Sequence, residues 1–154
     1  MNSGKLFEED FRLSCKNNVG FIRLFDPIGG QQGVVNICDY IVSGKYTTLF
    51  LELKATSTGT LPITNISKNQ YNGLLEQSKY PWTTCGILVK FIKFEKHYFV
   101  NIKEVARLKE LGIKSIAYKK ILSGEVKAIP FPAELKRTRY SYDVLKFVSL
   151  KEFE

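Results

Sequence analysis

The sequence predicts an α/β fold with a mixed central β-sheet flanked by helices. Three observations predict it. Short β-type runs follow one another across turn signals, so hairpins interrupt any strand–helix alternation. Two segments show helical periodicity with capping residues at their ends. One nearly continuous apolar run, "CGILVKFIKF", has the composition of a strand deep in a sheet.

Taken in order, "GKLFEEDFRLSCKNN" reads as an opening helix, with Leu6, Phe7, Phe11 and Cys15 near one stripe and Asn17-Asn18 to end it. "VGFIRLF" reads as a strand, and the breaker-rich "DPIGGQQG" as a turn or loop. "VVNICDYIV" and "YTTLFLELKA" read as two strands joined tightly through "SGK". "TSTGTLPITNI" reads as a polar loop. Ser67 then opens a helix, "SKNQYNGLLEQSK", that Pro81 stops. "KHYFVNI" pairs back on the long apolar run. Asn101 caps a further helix, "IKEVARLKELG", with Glu104 at N3 and Gly112 just past its end. In the last forty or so residues, "ELKRTRYSYDVLKFV" fits strand or helix alike.

The 154 residues suit one domain, residues 1–154, with a sizeable core. A hydrophobic fraction of 44% is globular and not disordered. No apolar run is long enough to span a bilayer, and "MNSGKLFEED" turns acidic where a signal peptide needs its apolar stretch. The expectation is an intracellular, cytoplasmic protein with no membrane partner. Three scattered cysteines and one histidine fit neither a disulfide framework nor a structural zinc site. The cysteines read as small buried apolar groups, and His97 as structural, because a lone histidine lacks a partner for acid–base work. A net charge of +8 favours a polyanionic partner.

One constellation carries chemistry. Within "NICDYIVSGKYTTLFLELKAT", strand alternation puts Phe50, Glu52 and Lys54 on one face and Leu49, Leu51 and Leu53 on the other. A carboxylate in so apolar a run is costly unless it is paired or bound to a metal. The hairpin can bring Asp39 beside Glu52. A divalent cation between the two acids would remove their repulsion, and carboxylate oxygens suit Mg²⁺ or Mn²⁺. Lys54 would then hold an attacking water or stabilise charge on a phosphate oxygen. The competing reading is an edge strand with a surface Glu52–Lys54 pair and Asp39 capping a turn. Glu-x-Lys recurs at Glu125/Lys127 and Glu134/Lys136, but only the first instance lies in an apolar strand downstream of an aspartate.

Asp, a spacer and (Asp/Glu)-x-Lys resembles the signature of the PD-(D/E)xK nuclease superfamily, whose fold is restriction-endonuclease-like. More narrowly, four blocks in order resemble the RecU-type Holliday junction resolvases: "GKLFEED", "CDYIVSGKYTTLFLELKAT", "LPITNISKNQ" and "CGILVKF", together reaching from Gly4 to about Phe99. The resemblance implies that Asp39 and Glu52 are metal ligands, that the Leu53 backbone carbonyl adds a third oxygen and that Lys54 is the catalytic lysine. It also implies that Glu8 supplies an acid from the first helix and that Gln70 sits near the site from the second. Two of these residues have a local alternative. Glu8 would suit the dipole in the first turn of its helix, and Gln70 completes a Ser-x-x-Gln capping box. Asp10 reads as a solvated helix residue.

The resemblance implies metal-dependent (Mg²⁺ or Mn²⁺) cleavage of four-way DNA junctions in recombination and repair, by a homodimer, in a bacterial or phage-encoded protein. Lys16, Arg23, Lys45, Lys136, Arg137 and Arg139 are the candidate phosphate contacts. Tyr140 and Tyr142, beside that last cluster, read as core. The chain departs from the family in three places. Between Asp26 and Cys38 there is room only for a short glycine-rich excursion where the family carries a long stalk. A basic N-terminal arm is missing, and Cys38 stands where Thr is frequent. These departures bear on junction selectivity more than on nuclease chemistry. They keep open a nuclease of the same superfamily acting on linear or damaged DNA, and a non-catalytic DNA-binding protein of the same fold.

Overall fold

The computed structural model describes residues 2–25 and 36–153. Fifteen elements follow in chain order: α1 (Ser3–Cys15), β1 (Phe21–Arg23), β2 (Tyr40–Ser43), β3 (Thr48–Thr56), β4 (Thr60–Pro62), α2 (Lys68–Gln77), β5 (Thr83–Phe91), β6 (Lys96–Asn101), α3 (Ile102–Glu110), β7 (Ser115–Ala117), α4 (Tyr118–Ser123), β8 (Ile129–Pro130), β9 (Ala133–Lys136), β10 (Arg139–Tyr142) and α5 (Val144–Val148). Six strands form one sheet in the order β1-β2-β3-β5-β6-β8. Only β3 and β5 run parallel, and every other neighbouring pair in that sheet is antiparallel. The mixed α/β class read from the sequence is the class observed.

Each face of the sheet is covered. On one, Phe7, Phe11 and Cys15 of α1 and Phe147 and Val148 of α5 close over Leu49, Leu51, Leu53 and Leu88. On the other, Leu74 of α2 and Val105 and Leu108 of α3 pack on Ile87, Val89 and Phe91, with Leu61 of β4 and Ile116 of β7 alongside. β5 is buried on both faces, which is why its sequence shows no alternation. Gly86 permits its close pairing with β6, since a Cβ there would stand 2.6 Å from the Phe99 ring.

Several expectations change in detail. The apolar run of β5 ends at Phe91; Ile92–Phe94 form one 3-10 turn, and Glu95, with φ 53°, reverses the chain into β6. The supposed loop "TSTGTLPITNI" contains β4, which pairs with β7. The ambiguous C-terminal stretch is both: a β9–β10 hairpin, then α5. The connection after Ser43 spans Gly44 to Thr47, closed by the Gly44 N–H donating to the Thr47 carbonyl at 2.9 Å. The excursion "DPIGGQQG" lies outside the described residues.

Asp10 is not solvated. It is 2% exposed and accepts from the Arg139 guanidinium and from the Tyr140 N–H at 3.1 Å, so it fastens β10 to α1. α1 starts at Ser3, capped by Asn2, which puts Glu8 in the second turn; the dipole reading of Glu8 does not hold.

Candidate active site

The site forms where β3 outruns its neighbour. Tyr40 and Leu51 are the last register pair between β2 and β3, and one residue earlier the Asp39 N–H still donates to the Leu51 carbonyl at 2.9 Å. Beyond that point the Leu53 N–H has no backbone partner on β2, and the Asp39 carboxylate takes it at 2.8 Å. Residues two apart on a strand turn their backbone groups to the same edge. The Leu53 carbonyl therefore shares the open edge with Asp39.

Glu52 and Lys54 project to the other face of β3 from the leucines. Glu52 is 4% exposed. Its Oε1 accepts from Gln70 Nε2 at 2.8 Å and meets Lys54 Nζ at 3.0 Å. Gln70 also completes the capping box at the start of α2, with Oε1 accepting from the Ser67 N–H and its own N–H donating to Ser67 Oγ. One amide thus fixes the start of α2 and ties it to the acid on β3.

The Asp39 charge acts directly on Glu52. Burial pushes Asp39 up to about 6; the nearby Glu8 charge adds to this, while the Leu53 N–H and the Lys54 ammonium oppose it. Burial, then the Asp39 charge, pushes Glu52 up to about 8 against the pull of Lys54. Glu8 Oε2 binds Arg23 Nη2 at 2.7 Å, and its backbone carbonyl accepts from Tyr40 Oη at 3.0 Å.

This donor set suits a hard divalent cation. Two buried, mutually repelling carboxylates and an edge carbonyl offer oxygen ligands only, and Mg²⁺ is commonly held by one or two carboxylates while keeping much of its water. Among the described residues no three His, Cys, Asp or Glu side chains cluster in metal-binding arrangement. The third acid, Glu8, is paired with Arg23 through Oε2, and its charge acts on Asp39.

Asp39, Glu52, Leu53, Lys54 and Gln70 therefore meet at one edge, with Glu8 and Arg23 adjoining. The remaining cationic candidates lie elsewhere. Lys16 is exposed at the end of α1, Lys45 is exposed in the β2–β3 turn, and Lys136 and Arg137 are exposed at the β9–β10 tip. Arg139 is engaged with Asp10 and, at 3.5 Å, with Glu9. Tyr142 is buried, and its hydroxyl meets His97 Nε2 at 2.9 Å; burial, then the Lys90 charge, depresses His97 to about 3, so it stays neutral in the core. All three cysteines are free and buried. Two bracing groups escaped sequence reasoning, the Tyr40 hydroxyl on α1 and the Arg23 partner of Glu8. Tyr40 directly follows Asp39 and Arg23 reads as a phosphate contact, but neither position reveals that the side chain reaches Glu8 of α1.

Residues 33–137 match the family described as RecU, Recombination protein U. The match begins downstream of α1, whereas the resemblance in the sequence begins at Gly4. No curated protein sequence matches the chain. Among solved structures, it is similar to Hjc, a Holliday junction resolvase from the archaeal hyperthermophile Archaeoglobus fulgidus, at 19% identity and a TM-score of 0.49, over 66% of this chain and 78% of that one.

Proposed function

The chain belongs to the RecU family, Recombination protein U, and from that premise we propose that it is a nuclease that resolves four-way (Holliday) DNA junctions by metal-dependent phosphodiester hydrolysis. One observation carries the reading: Asp39, just before β2, and Glu52 and Lys54 of β3 converge on the open edge of β3 with their charges acting on one another. Bound Mg²⁺ or Mn²⁺ would neutralise charge on the scissile phosphate and acidify a water. Asp39, Glu52 and the Leu53 carbonyl would hold the ion. Lys54 Nζ, steadied by Glu52 Oε1, sets a positive charge where a phosphate oxygen or the attacking water would lie. Gln70 keeps Glu52 in place, as supporting hydrogen bonds do around ligating carboxylates. Two symmetric cuts require two such sites, which a twofold homodimer supplies; sedimentation at twice the 17.6 kDa chain mass checks this.

The test compares a four-way junction with a linear duplex of the same sequence, with Mg²⁺ or Mn²⁺. Cleavage should favour the junction, and Asp39→Asn should abolish cutting while sparing binding. Wild-type protein that binds junctions but cuts with neither ion would end the enzyme reading. Equal cutting of both substrates would favour a nuclease acting on linear DNA.

A further inference from the structure

At the opposite end of β3 from its open edge, the loop "SKYPWTT" turns into β5. Trp82 is 75% exposed there, and Tyr80 56%. Trp82 also holds φ at 61°, a left-handed backbone that glycine or asparagine adopts easily and a bulky side chain does not. Neighbouring groups pin this conformation: the Trp82 carbonyl accepts from the Thr48 N–H at 2.7 Å and from Thr47 Oγ1 at 3.2 Å. Residues held in such backbone regions persist where the surroundings over-determine them, and they gather at functional sites. The ring is nonetheless left largely exposed. With Tyr46 and Lys45 it lines an open depression of about 370 Å³, in which the Lys45 ammonium lies 4.9 Å from the centre of the Tyr46 ring.

We infer that Trp82 is a stacking platform for an unstacked DNA base, with Lys45 taking the neighbouring phosphate. This rests on the DNA-processing reading above and extends it to a second contact. Thr48, which anchors Trp82, is four residues from Glu52, about 13 Å along the strand, or roughly four nucleotides of rise. Aromatic faces accept any base, and a cation beside them completes the usual pattern of single-strand recognition. A second copy of the chain is the weaker occupant. A twofold contact through this patch would set Lys45 close to its own copy, on a chain already at +8.

Trp82 is the only tryptophan, so the emission of the unmodified chain reports it alone. A four-way junction with unpaired thymines at the branch is titrated in EDTA, where no cutting occurs, and the anisotropy of a label at one arm end reports total binding. Tryptophan emission should fall about twofold or more in step with anisotropy. Trp82→Asn, suited to the left-handed backbone, should keep the melting temperature and weaken binding about 5- to 100-fold, whereas Trp82→Phe should largely retain affinity. Rising anisotropy with unchanged emission would overturn the inference and leave the nuclease reading intact. A blue shift that follows protein concentration without DNA would overturn it in favour of a self-interface. No anisotropy change at all would overturn both readings.

Discussion

Gln70 uses one amide for two purposes, and a single substitution separates them. Its Oε1 belongs to the capping box and its Nε2 to Glu52. Gln70→Glu keeps a capping acceptor at N3 but replaces the donor facing Glu52 with a third acid. Helix content and melting temperature should change little, while cleavage should fall about 10- to 100-fold, the usual loss when a group supporting a metal ligand is removed. An equal loss of helicity and activity would mean that the cap is its only role. Asp39 and Glu52 also set a pH dependence. Both titrate above the usual carboxylate range, so from about pH 4 to 8 the folded chain holds protons that the unfolded chain has released. Stability therefore falls as pH rises through that window. In EDTA at pH 8, Asp39→Asn should raise the melting temperature by about 2–5 °C, since relieving one buried like-charge contact is worth ~1–2 kcal/mol. Near pH 4 the two proteins should melt together. A lower melting temperature for Asp39→Asn at pH 8 would show that the pair does not repel.

At the scale of elements, the β9–β10 hairpin is not part of the six-stranded sheet and depends on α1 for its position. Asp10 supplies much of that attachment, and it is buried with two donors on it. Asp10→Ala leaves the Tyr140 N–H without its acceptor and should cost about 2–4 kcal/mol, read as a lower urea midpoint at unchanged m-value. Glu9→Ala, which loses only a partly exposed contact to Arg139, should cost at most about 0.5 kcal/mol. This attachment was not legible in the sequence. An acid in "FEED" looks solvated, and its partner lies more than a hundred residues away. The same limit hid β4 and β7, three residues each, whose pairing is set by packing rather than by any periodicity. What local chemistry fixes could be read: the Ser67 and Asn101 caps, the two faces of β3, and the unbroken apolar run of β5. Asp39, Glu52 and Lys54 were likewise legible, because alternation and one hairpin suffice to align them, whereas Gln70 and the Leu53 carbonyl entered only through the family resemblance. Their bracing from α1 was not.

For the whole molecule, the surplus of 23 Lys and Arg over 15 Asp and Glu is unevenly available for DNA. Lys54, Arg23, Arg107 and Arg139 are engaged by acids of their own chain. Lys136 and Arg137 at the hairpin tip are exposed and absent from every ion pair among the described residues, and Arg137, with φ 58°, makes the turn itself. The hairpin therefore offers two charges that cost no internal bond to use. If it contacts a DNA arm, each lost cation should lower the slope of log K against log salt by about 0.9 on duplex DNA. Lys136→Ala combined with Arg137→Ala should then reduce the slope by ~1.8 and weaken junction and linear duplex alike, because phosphate contacts position DNA without reading branch or sequence. Binding measured across a salt series decides this. An unchanged slope would place the hairpin off the DNA path, and a loss confined to the junction would make the tip a selectivity element.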